Sequence, residues 1–190
     1  MKIIGITGKS GSGKSMFASL LAQKLQCRHV DIDKVGHQAN FQPEIITGLC
    51  ENFGHGILDE CGNVDRKKLG AIVFADEDKM KILSDLTWGY MEKQLDSMLS
   101  DKSDCIVFEW ILLPQSKYWD MCDSKILVTS DNAQRRRKVL ERDHISEEYF
   151  DKRDSKSIDY SPYKFDYVFE NDYNPETMQD MISKVVTVQT

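Results

Sequence analysis

A short run near the amino terminus has the residue types and the spacing needed to hold a polyphosphate. Gly8 and Gly13 frame four residues, and Lys14 and Ser15 follow directly. Glycines permit a turn whose successive backbone N–H groups point into one concavity, which phosphate oxygens fill at the N-terminus of a helix. The lysine reaches the β- and γ-phosphates, and the serine hydroxyl is a ligand for Mg²⁺. The pattern therefore predicts a binding site for ATP and magnesium.

The residues expected to contact the nucleotide extend through this loop into the next helix. They are Gly8, Gly11, Ser12, Gly13, Lys14, Ser15 and Met16. A β-branched strand precedes the loop and apolar residues at helical spacing follow it, which is the order that phosphate loops require. A glycine-rich turn without a ligand is the alternative interpretation, and this context disfavours it.

Two aspartates follow the second predicted strand. Residues 28–32 are typical of a buried strand, and they deliver Asp31 and Asp33 to its carboxyl end, where ligands gather in open parallel sheets. A carboxylate at that edge can orient or deprotonate an attacking hydroxyl group. Aspartates that end a strand or cap a helix are the alternative.

The most basic stretch of the chain lies late in the sequence. Arg135, Arg136, Arg137 and Lys138 are consecutive, and Arg142 follows on the same predicted helix. In small-molecule kinases a lid of this kind brings positive charge over the transferred phosphoryl group. A solvated helix face is the alternative. An Asn-Lys-x-Asp run of the guanine-binding kind does not occur in the sequence, which disfavours GTP as the donor.

Strands and helices are predicted to alternate along the chain, which favours an α/β fold with a parallel sheet and helices on both faces. We expect a single P-loop kinase domain over 1–190. Its core strands are expected near 2–7, 28–32, 104–109, 125–129 and 166–170, its helical substrate-binding region over about 36–102, and its lid over about 132–160.

The composition is ordinary for a soluble globular protein. The chain has 190 residues, of which 41% are hydrophobic and 29% charged, and no apolar run approaches the roughly 20 residues of a membrane span. A formal net charge of −6 disfavours binding to nucleic acid or to an anionic membrane. The first residues lack a signal-peptide pattern, so we expect a cytoplasmic protein.

Neither the cysteines nor the histidines show a metal-binding spacing. The cysteines are Cys27, Cys50, Cys61, Cys105 and Cys122. We expect them to be reduced, structural thiols, as in most intracellular proteins. The histidines are His29, His37, His55 and His144. We assign them no catalytic role.

Over nearly its entire length the chain resembles the dephospho-CoA kinases, which phosphorylate the ribose 3′-hydroxyl of dephospho-CoA at the end of coenzyme A biosynthesis. The order of several short motifs carries the resemblance. These are 4–8 leading into 11–15, Val30-Asp31-Ile32-Asp33, Phe53-Gly54, 62–66, Gln134 with Arg142-Asp143, and 168–172. The resemblance implies a P-loop NTPase fold like that of the nucleoside monophosphate kinases, with a central five-stranded parallel sheet flanked by helices, plus helical substrate-binding and lid regions.

The resemblance also implies a phosphotransferase that uses ATP and Mg²⁺, with Ser15 as a metal ligand. Asp33 would orient or deprotonate the attacking hydroxyl, with Asp31 beside it, and Arg66 and Trp88 would lie on the side of the substrate. The implied partner is dephospho-CoA alone, without nucleic acid or membrane. A monomer or weak homo-oligomer is expected.

Further residues are implied for the nucleotide and for catalysis. Lys14, Arg137 and Arg142 would act on the transferred phosphoryl group, and Asn171 would join the nucleotide site. The spacing within the basic helix leaves open whether Lys138 takes the place given to Arg137.

The departures from the family pattern fall mostly on the substrate side. Trp88-Gly89 stands where the family has His-Pro, His37 stands at a family arginine, and 109–115 lacks the proline and the closing acid of the family segment. Two alternatives therefore stay open. One is a kinase of another small hydroxyl compound such as a nucleoside or nucleotide, and the other is an ATP-binding regulatory protein without catalytic activity.

Overall fold

The computed structural model, which describes residues 1–100 and 104–189, contains a central parallel sheet. Its strands are β1 (Lys2–Thr7), β2 (Arg28–Asp31), β3 (Cys105–Glu109), β4 (Ser124–Thr129) and β5 (Tyr167–Glu170). Their order across the sheet is β2-β3-β1-β4-β5, and every neighbouring pair is parallel. The predicted five-stranded parallel sheet is confirmed.

Helices occupy most of the chain between and after the strands. They are α1 (Lys14–Leu25), α2 (Ile32–Ala39), α3 (Pro43–Phe53), α4 (Arg66–Val73), α5 (Glu77–Ser100), α6 (Asn132–Asp143), α7 (Glu147–Ser155) and α8 (Pro175–Gln189). Side-chain caps fix the starts of α6 and α7, where Asp131 accepts from the Gln134 amide at 2.9 Å and Ser146 from the Tyr149 amide at 3.2 Å. None of these helices, in the part of the chain that the structure describes, is both long and apolar enough to cross a bilayer.

The strand in the middle of the sheet is buried on both faces. Ile4 and Ile6 of β1 are completely buried, as are Phe17 and Leu21 of α1, which belong to the same core cluster. Burial of each such side chain contributes about 1.5–3 kcal/mol to stability. The core thus holds the end of β1 and the start of α1 in place, and the glycine-rich loop lies between them.

The second strand, β2, ends at Asp31, whereas the sequence predicted a strand over 28–32. Ile32 begins α2 instead of ending β2, because Ile32, Val35 and Ala39 are spaced for one face of a helix and all three are buried. Asp33 therefore lies in the first turn of α2, which follows β2 directly.

Contacts between residues divide the described chain into two compact units. The first contains the sheet with α1, α6, α7 and α8, and the second begins at Ile32 and contains α2, α3, α4 and α5. The second unit has its own apolar cluster, to which Leu49, Ile57, Leu69 and Val73 contribute buried side chains.

One prediction about the cysteines is wrong, because Cys27 and Cys105 form a disulfide. Arg28 pairs with Ile106 in the ladder between β2 and β3, so the residues just before them are neighbours, with 4.8 Å between their Cα atoms. The sequence separation of 78 residues hides this proximity. Among the described residues Cys50, Cys61 and Cys122 are free, and burial raises the pKa of the Cys122 thiol to about 12.

The disulfide is expected to survive purification without reductant and to stabilise the fold. A thiol titration of the denatured, unreduced protein should find the three free cysteines and not all five. Cys27→Ser/Cys105→Ser should lower the free energy of unfolding by about 2–4 kcal/mol, because a cross-link restricts the unfolded chain. Cys50→Ser is the control, and five reactive thiols in the unreduced protein would contradict the pairing.

Candidate active site

The loop between β1 and α1 has a backbone conformation that glycine favours. Gly11 and Gly13 have φ angles of 83° and 88°. A Cβ atom added to Gly13 would lie 2.0 Å from Nδ2 of Asn171, and one added to Gly11 would lie 2.6 Å from a methyl group of Val139. Other side chains would therefore strain the backbone and displace these neighbours. The loop has the shape that a polyphosphate cradle needs.

Side chains from the far end of the sheet hold the carbonyl groups of this loop. Asn171, which is 1% exposed, donates from Nδ2 to the carbonyl of Ser12 at 2.9 Å and accepts from the amide of Tyr173 at 2.9 Å. The Tyr173 hydroxyl donates to the Gly11 carbonyl at 2.6 Å. Asn171, predicted to join the nucleotide site, therefore acts on the shape of the loop in this structure.

A buried carboxylate lies at the start of α1. Glu109, the last residue of β3, is 2% exposed and pairs in the sheet with Ile6 of β1. Its Oε1 accepts a hydrogen bond from the Ser15 hydroxyl and lies 3.9 Å from Nζ of Lys14. Glu109 was not among the site residues predicted from the sequence, although its position at the carboxyl end of a predicted strand could have indicated it.

Two residues of β2 lie next to this carboxylate. Asp31 pairs with Glu109 in the ladder between β2 and β3. His29 contacts the other carboxylate oxygen, with 3.0 Å between its Nε2 and Oε2 of Glu109. The structure thus brings Lys14, Ser15 and Asp31 together around Glu109, which was not a predicted site residue.

The other loop residues differ in exposure. Ser12 is 1% exposed, and its hydroxyl has no hydrogen-bond partner among the described residues. Met16, expected to contact the nucleotide, is 64% exposed on the first turn of α1. Ser12 therefore faces the protein interior behind the loop, and Met16 faces outward.

Apart from Asp31, which ends β2 in the first unit, the substrate-side candidates belong to the second unit. Asp33 is exposed in the first turn of α2, and Trp88 is half-buried in α5. Arg66, the first residue of α4, lies with Nη2 2.7 Å from Nε2 of His37. Since an arginine can only donate, His37 accepts this hydrogen bond through an unprotonated Nε2. His37, which stands at the position of a family arginine, thus orients Arg66.

The two lid candidates at the centre of α6 point in different directions. The Arg137 side chain is 68% exposed and has Glu141 at 3.9 Å. Lys138 instead lies over the ring of Tyr173, with 5.6 Å between its Nζ and the ring centroid. Because Tyr173 also binds the carbonyl of Gly11, Lys138 is the cation on the side of the phosphate loop.

Two arginines meet at the tip of the loop. Arg142 and Arg153 donate to the hydroxyl of Ser10 at 3.3 and 3.4 Å, and both also contact Asp143. The hydrogen bond from Arg142 holds the pKa of Asp143 below its ordinary value. Arg142 was predicted here, whereas Arg153 was missed because it lies on α7, outside the basic run.

A buried ion pair ties α6 to α7. Arg135 is 3% exposed and donates to both carboxylate oxygens of Asp154 at 2.7 Å, and it also donates to the carbonyl of Ser10 at 3.1 Å. Nζ of Lys9 lies 3.9 Å from Asp154. Burial by itself would raise the pKa of Asp154, but the hydrogen bonds and charge of Arg135, with Lys9 and Arg153, lower it below its ordinary value.

The groups around the loop fit a magnesium nucleotide. The Ser15 hydroxyl and the Glu109 carboxylate offer the hard oxygen ligands that Mg²⁺ prefers. Backbone N–H groups at the start of α1 and the ammonium of Lys14 suit phosphate oxygens. With Arg142 and Arg153 on Ser10, the site can stabilise negative charge that develops on a phosphoryl group.

The ion pair of Arg135 and Asp154 should make stability depend on pH. Because the folded-state pKa of Asp154 lies below the ordinary value of 3.8, its contribution is complete above that pH and is lost as the pH falls through the lower folded value. Asp154→Asn should lower the free energy of unfolding by about 2 kcal/mol at pH 7. The stability of the variant should also fall less steeply than that of the parent as the pH is lowered.

The control for that variant is Asp151→Asn, which removes the 56% exposed partner of Arg136. It should cost less than about 1 kcal/mol, because exposed ion pairs contribute little. Urea unfolding at several pH values measures both. Equal costs at pH 7 and equal acid slopes would contradict the role given to Asp154.

Known proteins match this chain closely enough to assign its family. The family model for dephospho-CoA kinase (CoaE) matches residues 2–174. A dephospho-CoA kinase of Fusobacterium nucleatum is 32% identical over 186 residues, which are 96% of this chain and 94% of that protein. The crystal structure of TT1252 from Thermus thermophilus has a TM-score of 0.82 and 25% identity, and the match covers 100% of this chain and 98% of that one. A dephospho-CoA kinase structure from Campylobacter jejuni shares the fold at a TM-score of 0.61 and 20% identity, covering 98% and 96% of the two chains. The chain belongs to the dephospho-CoA kinase family.

Proposed function

We propose that this protein transfers the γ-phosphoryl group of ATP to the ribose 3′-hydroxyl of dephospho-CoA, giving coenzyme A and ADP. The observation that carries the proposal is the arrangement of Lys14 and Ser15 against the buried Glu109, below a glycine loop, in a chain of the dephospho-CoA kinase family. The acceptor follows from the family, and the donor follows from the loop.

The reaction moves one phosphoryl group and one proton. The 3′-oxygen of the acceptor bonds to the γ-phosphorus while the bond to the β,γ-bridging oxygen breaks, and ADP leaves with that electron pair. The hydroxyl proton passes to the carboxylate of Asp33. Lys14, Arg142 and Arg153 stabilise the charge on the phosphoryl oxygens, and loss of one such donor typically costs about 3–4 kcal/mol in the transition state.

The metal would be held by Ser15 and Glu109, directly or through water. Bound Mg²⁺ neutralises charge on the β- and γ-phosphates. The oxygen atoms of the two residues are already in contact, so little rearrangement of this chain is needed to present them together.

The acceptor side of the proposal involves residues outside the phosphate loop. Arg66, oriented by His37, is a cation suited to a phosphate or pyrophosphate group of the acceptor. Trp88 and Asp31 are the remaining candidates on this side. We place the reaction in the cytoplasm, with a small-molecule acceptor, no nucleic-acid or membrane partner, and a monomer or weak homo-oligomer as the working form.

A phosphoryl-transfer assay with Asp33→Asn tests both the reaction and its base. The parent protein with Mg²⁺ and ATP should convert dephospho-CoA to coenzyme A. Asp33→Asn should lower kcat at least about 100-fold, because a positioned general base contributes roughly 10²–10⁴. Its affinity for ATP should stay close to that of the parent.

Asp31→Asn is the matched control and should lose less activity than Asp33→Asn. Nucleosides and nucleotides serve as competing acceptors. Full activity of Asp33→Asn would remove Asp33 from the mechanism. Transfer only to a nucleoside would replace the acceptor, and ATP binding without any transfer would favour a regulatory protein.

A pair of substitutions on α6 tests which cation serves the nucleotide. Lys138→Met should raise the KM for ATP about tenfold, since loss of a charged contact to phosphate is worth roughly 1.4 kcal/mol. Arg137→Met should change it less than about twofold, because Arg137 is exposed and its contact with Glu141 is worth only a few tenths of a kcal/mol. Steady-state kinetics with ATP varied measures both, and the reverse ranking would assign the role to Arg137.

A further inference from the structure

His29 contacts the carboxylate of the nucleotide site although it is not one of the loop residues. It is the second residue of β2, and its side chain is 23% exposed. The distance between its Nε2 and Oε2 of Glu109 is 3.0 Å. Because a carboxylate oxygen only accepts hydrogen bonds, Nε2 of His29 carries the hydrogen and is the donor.

The two oxygens of Glu109 have different partners. Oε1 accepts from the Ser15 hydroxyl and lies near the Lys14 ammonium, while Oε2 faces His29. Glu109 is 2% exposed, so water does not readily replace a missing donor. A buried carboxylate with one oxygen unsatisfied would turn or recruit another donor, and the Ser15 hydroxyl would lose its fixed partner.

The backbone places His29 for this contact. His29 pairs with Val107 in the parallel ladder, and Asp31 pairs with Glu109 two residues later. Side chains two apart on a strand share a face, so His29 and Glu109 project on the same side of the sheet. The disulfide between Cys27 and Cys105 joins the two strands just before this point, so the register cannot slip.

We propose that His29 is a positioning residue for the nucleotide site: it holds Oε2 of Glu109 so that Oε1 and the Ser15 hydroxyl are presented together. This inference rests on the proposed function, since it assigns Glu109 and Ser15 to magnesium. His29 itself does not touch the metal or the substrate. Its loss weakens the coupling between magnesium and ATP while leaving metal-free nucleotide binding unchanged.

Two substitutions separate the hydrogen bond from the packing of the ring. His29→Leu fills a similar volume without a donor. His29→Gln has an amide nitrogen at about the reach of Nε2 and can still donate to Oε2. His55→Leu, at an exposed position of the second unit, controls for the loss of a histidine elsewhere.

Calorimetric titration with ATP, in EDTA and across a series of Mg²⁺ concentrations, gives a readout that does not depend on turnover. For His29→Leu the Mg²⁺ concentration at half-maximal enhancement of ATP binding should rise about tenfold, because residues that orient metal ligands typically contribute 10–100-fold to metal affinity. The affinity in EDTA should match that of the parent. His29→Gln and His55→Leu should follow the parent.

Each outcome decides between the proposals. If the parent binds ATP without any dependence on Mg²⁺, the assignment of magnesium to Ser15 and Glu109 fails, and the inference about His29 fails with it. If the parent depends on Mg²⁺ and His29→Leu shows the same dependence, only the inference is overturned. It is also overturned if His29→Leu and His29→Gln are impaired equally, since the ring and not its donor would then matter.

Discussion

The conformation of the phosphate loop is the constraint on which the other features of the site depend. Gly11 and Gly13 adopt positive φ angles, and Val139 and Asn171 pack so closely that no Cβ atom fits. The loop is therefore fixed by packing from α6 and by the segment after β5, as well as by its own residues. A shift of Val139 or Asn171 would change the direction of the backbone N–H groups that bind phosphate.

Charged groups reinforce this arrangement because Glu109 and Arg135, the buried charged residues beside the loop, both have partners. Glu109 lies against Ser15, Lys14 and His29, and the guanidinium of Arg135 is paired with Asp154. Removing one member of such a set leaves the other charge buried and unpaired, which costs more than the pair contributes. Two further arginines, Arg142 and Arg153, meet at the Ser10 hydroxyl and add positive charge at the tip of the loop.

The loop and the sheet were predictable from the sequence because both depend on local patterns. The glycine spacing defines the turn, and a β-branched run before it defines β1. The contacts that complete the site join distant residues: Cys27 to Cys105, His29 to Glu109, and Arg135 to Asp154. They depend on strand register or on the packing of one helix on another, which no local pattern encodes. The basic run illustrates the difference, since its members Arg135, Arg137 and Lys138 have three different environments.

The central claim is that this loop and Glu109 receive a magnesium-bound polyphosphate. A crystal structure of the protein with Mg²⁺ and a non-hydrolysable ATP analogue tests it most directly. We expect the β-phosphate oxygens on the backbone amides between Gly11 and Ser15, the γ-phosphate on Lys14, and the metal on the Ser15 hydroxyl beside Glu109. Nucleotide bound elsewhere, or a metal whose ligands include neither Ser15 nor Glu109, would contradict the account.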